Sequence, residues 1–207
     1  MARILISSGP TRQYLDPVRY LTNASSGQMG KSLAEAALSR GHRVVVVSGP
    51  VCLDYPEAAE VIPVVSTEQM LAACREAFPD CDGLIGAAAP CDYRPMKVQS
   101  GKIEKTGDPL VLNLIETSDV IATLAADKQG RWVVGFALET EDQRFRALVK
   151  LENKNCDLIV LNGPEAMDAA SNSVEVLDET GTVIAAFAGK KIEVSKGIMN
   201  VISQRLV

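Results

Sequence analysis

Short apolar runs alternate with helix-period segments along this chain. Ile4-Leu5-Ile6, inside Arg3 to Ser8, predicts a short buried strand. Ser26 to Arg40 carries Met29, Leu33, Ala36, Ala37 and Leu38 as the apolar positions of a helix, and Gly41 is placed to stop it. The consecutive valines Val44 to Val47 predict a second strand. Val61 to Val65 predicts a third, and Pro63 within it points to a sheet edge, because proline has no N–H to give a neighbour. Thr67 is expected to cap a helix running through Phe78. Further strands are expected over Gly83 to Ala87, Trp132 to Leu138 and Leu158 to Leu161, with a helix from Glu141 to Asn155. Such alternation predicts an α/β fold, a doubly wound, mostly parallel, Rossmann-like sheet covered on both faces.

Two stretches break the rhythm. Asp92 to Thr106 is polar, contains Pro95, Gly101, Arg94, Lys97, Lys102 and Lys105, and shows neither helical nor strand periodicity. It reads as an irregular flap, and long irregular loops in compact domains are usually functional or disordered. Val174 to Leu177 and Val183 to Phe187 flank Asp178-Glu179-Thr180-Gly181, which predicts a C-terminal β-hairpin or small subdomain over 174–187. A last helix is expected from Lys190 to Leu206. Residues 1–207 are expected to form one domain, a size that can bury a real core.

Charge narrows the ligand class. Lys plus Arg number 21 against 26 Asp plus Glu, so the net charge is −5, unlike the basic footprint of a nucleic-acid or membrane-surface binder. A phosphate ligand must then be met by a few local cations and backbone amides. The five cysteines form no C-x-x-C pair, which argues against a disulfide framework or zinc site and makes a reducing cytoplasm the default expectation. His42 is the single histidine, so His-rich metal sites are excluded. It falls at the amino edge of the predicted sheet, which also disfavours a Cys91–His42 dyad. No apolar run reaches the length of about 18 residues expected of a membrane span.

Candidate chemistry gathers where strands end. Ser25-Ser26-Gly27-Gln28-Met29-Gly30 opens the first helix, and small residues at a helix start can cradle a phosphate. Alone, this segment also fits a plain N-cap by Ser25 or Ser26. It is not the dinucleotide fingerprint, because it does not follow the first strand directly and the second strand runs into Ser48-Gly49-Pro50 without a ribose-binding acid. Arg146, Lys150 and Lys154 share one face of a predicted helix and could reach a triphosphate or simply be solvated. Lys102 suits a lid that closes over developing negative charge, or is an ordinary surface lysine. Asp92 follows Gly86-Ala87-Ala88-Ala89 and could hold a sugar hydroxyl, a base or magnesium, or cap a turn.

In order, the motifs resemble a known family. Gly9-Pro10-Thr11-Arg12, Asp16-Pro17-Val18-Arg19-Tyr20, Asn23, Ser25 to Gly30, Ser48-Gly49-Pro50-Val51, Ala87-Ala88, Asp92-Tyr93, Lys102-Ile103 and Gly135-Phe136-Ala137-Leu138-Glu139 together resemble phosphopantothenate–cysteine ligase, often fused to a phosphopantothenoylcysteine decarboxylase in bacteria. The resemblance covers nearly the whole chain. It implies a coenzyme A pathway enzyme that joins 4′-phosphopantothenate to L-cysteine through an acyl-cytidylate, with CTP as co-substrate and magnesium as cofactor. It implies that Asn23 holds the acyl intermediate and that Lys102 covers the activated carbonyl. Gly86, Ala87, Ala88, Asp92, Lys102, Phe136, Lys150 and Lys154 are implied nucleotide contacts, as is the helix-start segment Thr117-Ser118-Asp119-Val120. Asn23, Ser25, Ser26, Gly27, Arg19 and Ala88 are implied substrate contacts. No residue is implied as a metal ligand. Pro90-Cys91 departs from the family's usual Val-Ala. The resemblance further implies a homodimer in which the Asp16-to-Tyr20 loop completes a neighbouring site, and a separate ligase or an excised domain with a possible decarboxylase partner. The other readings are a nucleotide-dependent Rossmann-type oxidoreductase and a non-catalytic nucleotide-binding module.

Overall fold

The computed structural model describes residues 1–138, 141–163 and 171–207. In chain order these form β1 (Arg3–Ser8), β2 (Arg12–Asp16), β3 (Arg19–Thr22), α1 (Gln28–Ser39), β4 (Arg43–Ser48), β5 (Glu60–Pro63), α2 (Thr67–Ala77), β6 (Gly83–Gly86), β7 (Tyr93–Pro95) and β8 (Leu114–Glu116). They continue with α3 (Val120–Ala125), β9 (Trp132–Leu138), α4 (Gln143–Asn153), β10 (Leu158–Asn162), β11 (Ser171–Asp178), β12 (Val183–Lys190) and α5 (Lys191–Arg205).

The main sheet has eight strands in the order β12-β11-β10-β9-β6-β1-β4-β5. From β5 to β10 every pairing is parallel, whereas β11 and β12 join antiparallel. The predicted hairpin is therefore an extension of the sheet. Its turn is closed by the Asp178 carboxylate, which accepts from the Thr180 and Thr182 amides at 3.0 and 3.1 Å. β5 lies at the edge, as Pro63 requires.

Strand alternation divides the core between two helix layers. Ile4, Ile6, Val44, Val46, Ile85, Val134 and Val160 pack with α1 and α5. Leu5, Val45, Val47, Leu84, Val133 and Ile159 point the other way, to α2, α3 and α4. Both faces of the central strands are thus buried, and in β1, β4, β6, β9 and β10 polar residues are confined to strand ends.

Two local expectations, for the cap of α2 and for the flap, are corrected, and one hairpin is added. Ser66, not Thr67, caps α2: its side chain accepts from the Gln69 amide at 3.2 Å in a reciprocal capping box. Thr67 is instead buried, its hydroxyl 2.9 Å from that of Thr11. The polar stretch after β1 is a hairpin, β2–β3, held by four backbone register pairs. The flap is also not wholly irregular, since β7 at its base pairs antiparallel with β8. Both hairpins are small satellite sheets, so neither needs the long apolar run that marks a central strand.

Candidate active site

The chain leaves β1 for β4 and β5 on one side of the sheet and returns to β6, β9 and β10 on the other. Loops beyond the carboxyl ends of β1 and β6 therefore diverge and open a crevice. The two loops stay stitched where they leave the sheet: the Ala87 amide donates to Ser7 O at 3.1 Å and the Ala89 amide to Gly9 O at 2.9 Å. Small side chains over Ala87 to Ala89 keep this wall low.

One cavity, of about 180 Å³, sits at the start of α1 and is lined by Ser25, Ser26, Gly27, Ala87, Ala88 and Phe136 among others. Neither Ser25 nor Ser26 caps the helix. The N-cap is Gly27, in the left-handed region at φ 76°, with no side-chain cap hydrogen bond. A Cβ there would lie 2.8 Å from Val51 Cγ1, so the position needs glycine on two counts. Gly30 lets α1 press against β1, because a Cβ there would lie 2.0 Å from Ser8 Oγ. The first-turn amides are thereby left for a ligand.

The far wall of this cavity comes from residues that sequence reasoning missed: Asn162, Asn172 and Lys191. Asn172 is 5% exposed, its Nδ2 lies 3.4 Å from Asn162 Oδ1, and its own Oδ1 has no partner among the described residues. Only Lys191, at the start of the predicted last helix, had a local signal, and nothing in the sequence linked it to α1.

A second cavity, of about 270 Å³, adjoins the first and shares Ala88 and Phe136 with it. It gathers Gly86, Asp92, Thr117, Ser118, Asp119, Val120 and Lys154. Asp119 caps α3 by accepting from the Ala122 amide at 3.0 Å, and Lys154 Nζ lies 2.9 Å from its other oxygen. Burial pushes the Asp119 acid up, but the amide and the Lys154 ammonium outweigh it and hold the group below 3.8. Lys150, a turn earlier on α4, lines neither cavity.

Cys91 also lines the second cavity, yet its backbone carries the structural work. Its carbonyl accepts from Thr117 and Thr67 hydroxyls at 2.7 and 3.1 Å, and its amide donates to Thr11 Oγ1 at 2.8 Å. Burial pushes its thiol up, away from nucleophilic thiolate. His42 lies at the opposite edge of the sheet, where its Nδ1 accepts from the Ala2 amide at 3.1 Å.

Asn23 stands at the rim. Its Nδ2 donates to Pro90 O at 2.8 Å and approaches Ala89 O at 3.4 Å, tying the approach to α1 onto the loop after β6. Lys102 is not brought to either cavity. It lines a separate hollow of about 350 Å³ with Leu15, Pro95, Ile103 and Leu110 to Leu112. Arg19 is drawn to the same region, 3.2 Å from Asp16 and donating to Ile103 O at 2.8 Å.

Among the described residues no group of three His, Cys, Asp or Glu side chains could form a metal cage. Nor is any helix among them long and apolar enough to cross a membrane.

The chain is similar to the coenzyme A biosynthesis bifunctional protein CoaBC of Bacillus subtilis (strain 168), at 43% identity over 167 residues, 80% of this chain and 41% of that protein. It is 37% identical over 206 residues to the protein of the same name from Haemophilus influenzae, covering 98% of this chain and 51% of that one. It thus spans about half the length of these relatives or less. A crystal structure of the C-terminal domain of a CoaBC protein superposes with a TM-score of 0.83 at 35% identity, covering 99% of this chain and 95% of that domain. Matching over residues 1–206, the chain belongs to the family described as the DNA/pantothenate metabolism flavoprotein C-terminal domain.

Proposed function

We propose that this chain is a phosphopantothenate–cysteine ligase that uses CTP and works in coenzyme A biosynthesis. The observation that carries this reading is the junction of two cavities at Ala88 and Phe136, with an anion cradle in one and Asp119 and Lys154 in the other. A phosphorylated acid in the first and a nucleotide in the second would meet at that junction.

The chemistry has two steps. A carboxylate oxygen of 4′-phosphopantothenate bonds to the α-phosphorus of CTP, the bond from that phosphorus to the β-bridging oxygen breaks, and pyrophosphate leaves. The amine of L-cysteine then bonds to the acyl carbon, the acyl C–O bond breaks, CMP leaves and the amine proton passes to solvent. Both steps crowd negative charge, so amides and cations serve better than a protein nucleophile. In this reading Ser25, Ser26 and Gly27 hold the substrate phosphate, and Asn23 holds the acyl group from the rim. Gly86, Ala87, Ala88, Asp92, Phe136 and Thr117 to Val120 hold the nucleoside, with Lys150 and Lys154 on its phosphates. Lys102 reaches in from the base of the flap to cover the activated carbonyl.

Magnesium fits this donor set as an ion carried mainly by nucleotide phosphates, with a carboxylate such as Asp92 or Asp119 to assist. It would neutralise phosphate charge when bound. The working unit in this reading is a homodimer, with Arg19 serving the neighbouring substrate site. A decarboxylase that consumes the product is the natural functional partner.

A Rossmann-type oxidoreductase is disfavoured by the end of β4. Ser48 sits there, with its hydroxyl engaged by Gly49 O at 2.8 Å and Tyr55 Oη at 2.9 Å, and supplies no carboxylate for a ribose. The test is pyrophosphate release with folded protein, magnesium, 4′-phosphopantothenate, L-cysteine and a panel of nucleotides. Release with CTP that yields the cysteine amide supports the ligase, whereas none with any nucleotide rejects it.

A further inference from the structure

Between residues 96 and 114 the flap is exposed everywhere except at Ile103, which is half-buried. The reason is a carboxylate beneath it. Asp16 closes the β2–β3 turn with Oδ1, which accepts from the Val18 and Arg19 amides at 2.9 Å each. The turn needs no more than that. Yet Asp16 is wholly buried, and its Oδ2 turns to the flap, accepting from the Ile103 amide at 3.0 Å and lying 3.2 Å from Arg19 Nη1. Arg19 Nη2 completes the clamp by donating to Ile103 O at 2.8 Å. Both polar groups of one flap peptide unit pair thus end on a single ion pair, through charge-assisted hydrogen bonds that are stronger than neutral ones.

Ile103 directly follows Lys102. We propose that Asp16 is a positioning residue: by clamping Ile103 it fixes the point from which Lys102 reaches toward the reacting groups. This rests on the covering role given to Lys102 above. A lysine on an unclamped exposed loop would search a wide volume, and small errors in placement cost large factors in rate. The clamp leaves residues 104–112 free to close, while Ile103 on one side and the β7–β8 pairing on the other hold the base of the flap.

A double-mutant cycle tests this. Asp16→Asn keeps the size of the side chain but takes away its charge. It is expected to lower kcat at least about tenfold while moving the KM for CTP less than about threefold. In a Lys102→Ala background the same change is expected to add less than about twofold. Hydrogen exchange at the Ile103 amide is expected to speed up by about tenfold or more in Asp16→Asn. Ile103→Pro removes the same hydrogen bond from the flap side without touching the buried turn. It should reproduce the kinetic loss, and it decides the matter if Asp16→Asn does not fold. Equal losses with and without Lys102, or unchanged Ile103 exchange, would overturn the proposal. A wild-type rate in Lys102→Ala also overturns it, since Asp16 would have nothing to act through. Failure of the ligase reading is distinct: wild-type protein would release no pyrophosphate, and the Ile103 exchange would then judge the clamp alone.

Discussion

Lys154 and Asp119 face each other at 2.9 Å and join the end of α4 to the start of α3 across one wall of the second cavity. Both side chains are partly exposed, at 29% and 43%, so the pair itself adds little stability. That weakness suits a binding site, because a nucleotide phosphate brings more charge than one carboxylate and can take the ammonium over. Lys154→Ala should therefore raise the KM for CTP about tenfold or more, the value of one or two lost charged hydrogen bonds of about 1.5–3 kcal/mol. The KM for cysteine and the thermal midpoint should hardly move. Steady-state kinetics with each substrate varied checks this, and an unchanged KM for CTP would remove Lys154 from the site.

On the other side of the junction, Lys191 faces the start of α1 with Asn172 beside it. A phosphomonoester seated on the first-turn amides would gain the lysine's charge and give Asn172 a partner. Lys191→Ala should raise the KM for 4′-phosphopantothenate about tenfold and leave the KM for L-cysteine unchanged. If instead the KM for CTP rose, the anion in this cavity would be the triphosphate.

What the sequence conveyed was governed by periodicity. Strands buried on both faces, such as Val44 to Val47 and Trp132 to Leu138, announce themselves by unbroken apolar runs, and the edge position of β5 follows from Pro63. The β2–β3 and β7–β8 hairpins lack such runs because they pack at the rim, so their polar sequences look like loops. The start of α1 was legible because Gly27 and Gly30 are needed there. The far wall of the cavity was not: Asn172 and Lys191 reach it only through the folding of the last hairpin and α5 against α1. Lys102 shows the converse, since the motif around it resembles the ligase family's while its place in this structure is a separate hollow. The expectation for Glu139 lies outside the described residues.

Asn23 donates its amide hydrogens to the carbonyl oxygens of Pro90 and Ala89. In Asn23→Asp a carboxylate would face those oxygens and be repelled, so the rim contact is lost while both cavities keep their walls. Activation should survive and the attack by cysteine should slow. In rapid-quench experiments this gives a burst of pyrophosphate followed by amide formation about tenfold or more slower than wild type. Both steps at the wild-type rate would reject the role given to Asn23.

Burial pushes the thiol of Cys74 up to about 12 and those of Cys81 and Cys156 to about 11, and it also raises Cys91. Alkylation needs thiolate and access, which these four lack at neutral pH. Cys52 is the exposed one. Iodoacetamide at pH 8 should add a single group, at Cys52, before unfolding and five after it, as read by intact mass. Rapid loss of Cys91 in the native protein would contradict its place behind Thr11 and Leu21.

His42 links stability to pH in the mildly acidic range. It is 8% exposed, and its Nδ1 accepts a hydrogen bond from the Ala2 amide, which an imidazolium cannot do. Burial, followed by the nearby N-terminal ammonium and Arg40, holds its pKa below 6.5. Between that lowered value and 6.5 the unfolded chain binds more proton than the folded one, so stability rises with pH across this window and falls on acidification. The slope from one such group cannot exceed about 1.4 kcal/mol per pH unit. The depressed carboxylates of Asp119 and Asp178 add their own loss only as pH falls below 3.8. Urea unfolding from pH 7.5 to 5 should therefore show a decline that begins near 6.5, before any carboxylate contributes. His42→Asn can still accept from the Ala2 amide but does not titrate, and should flatten that decline while leaving the loss below pH 4. An equal decline in the variant would place its origin elsewhere in the chain.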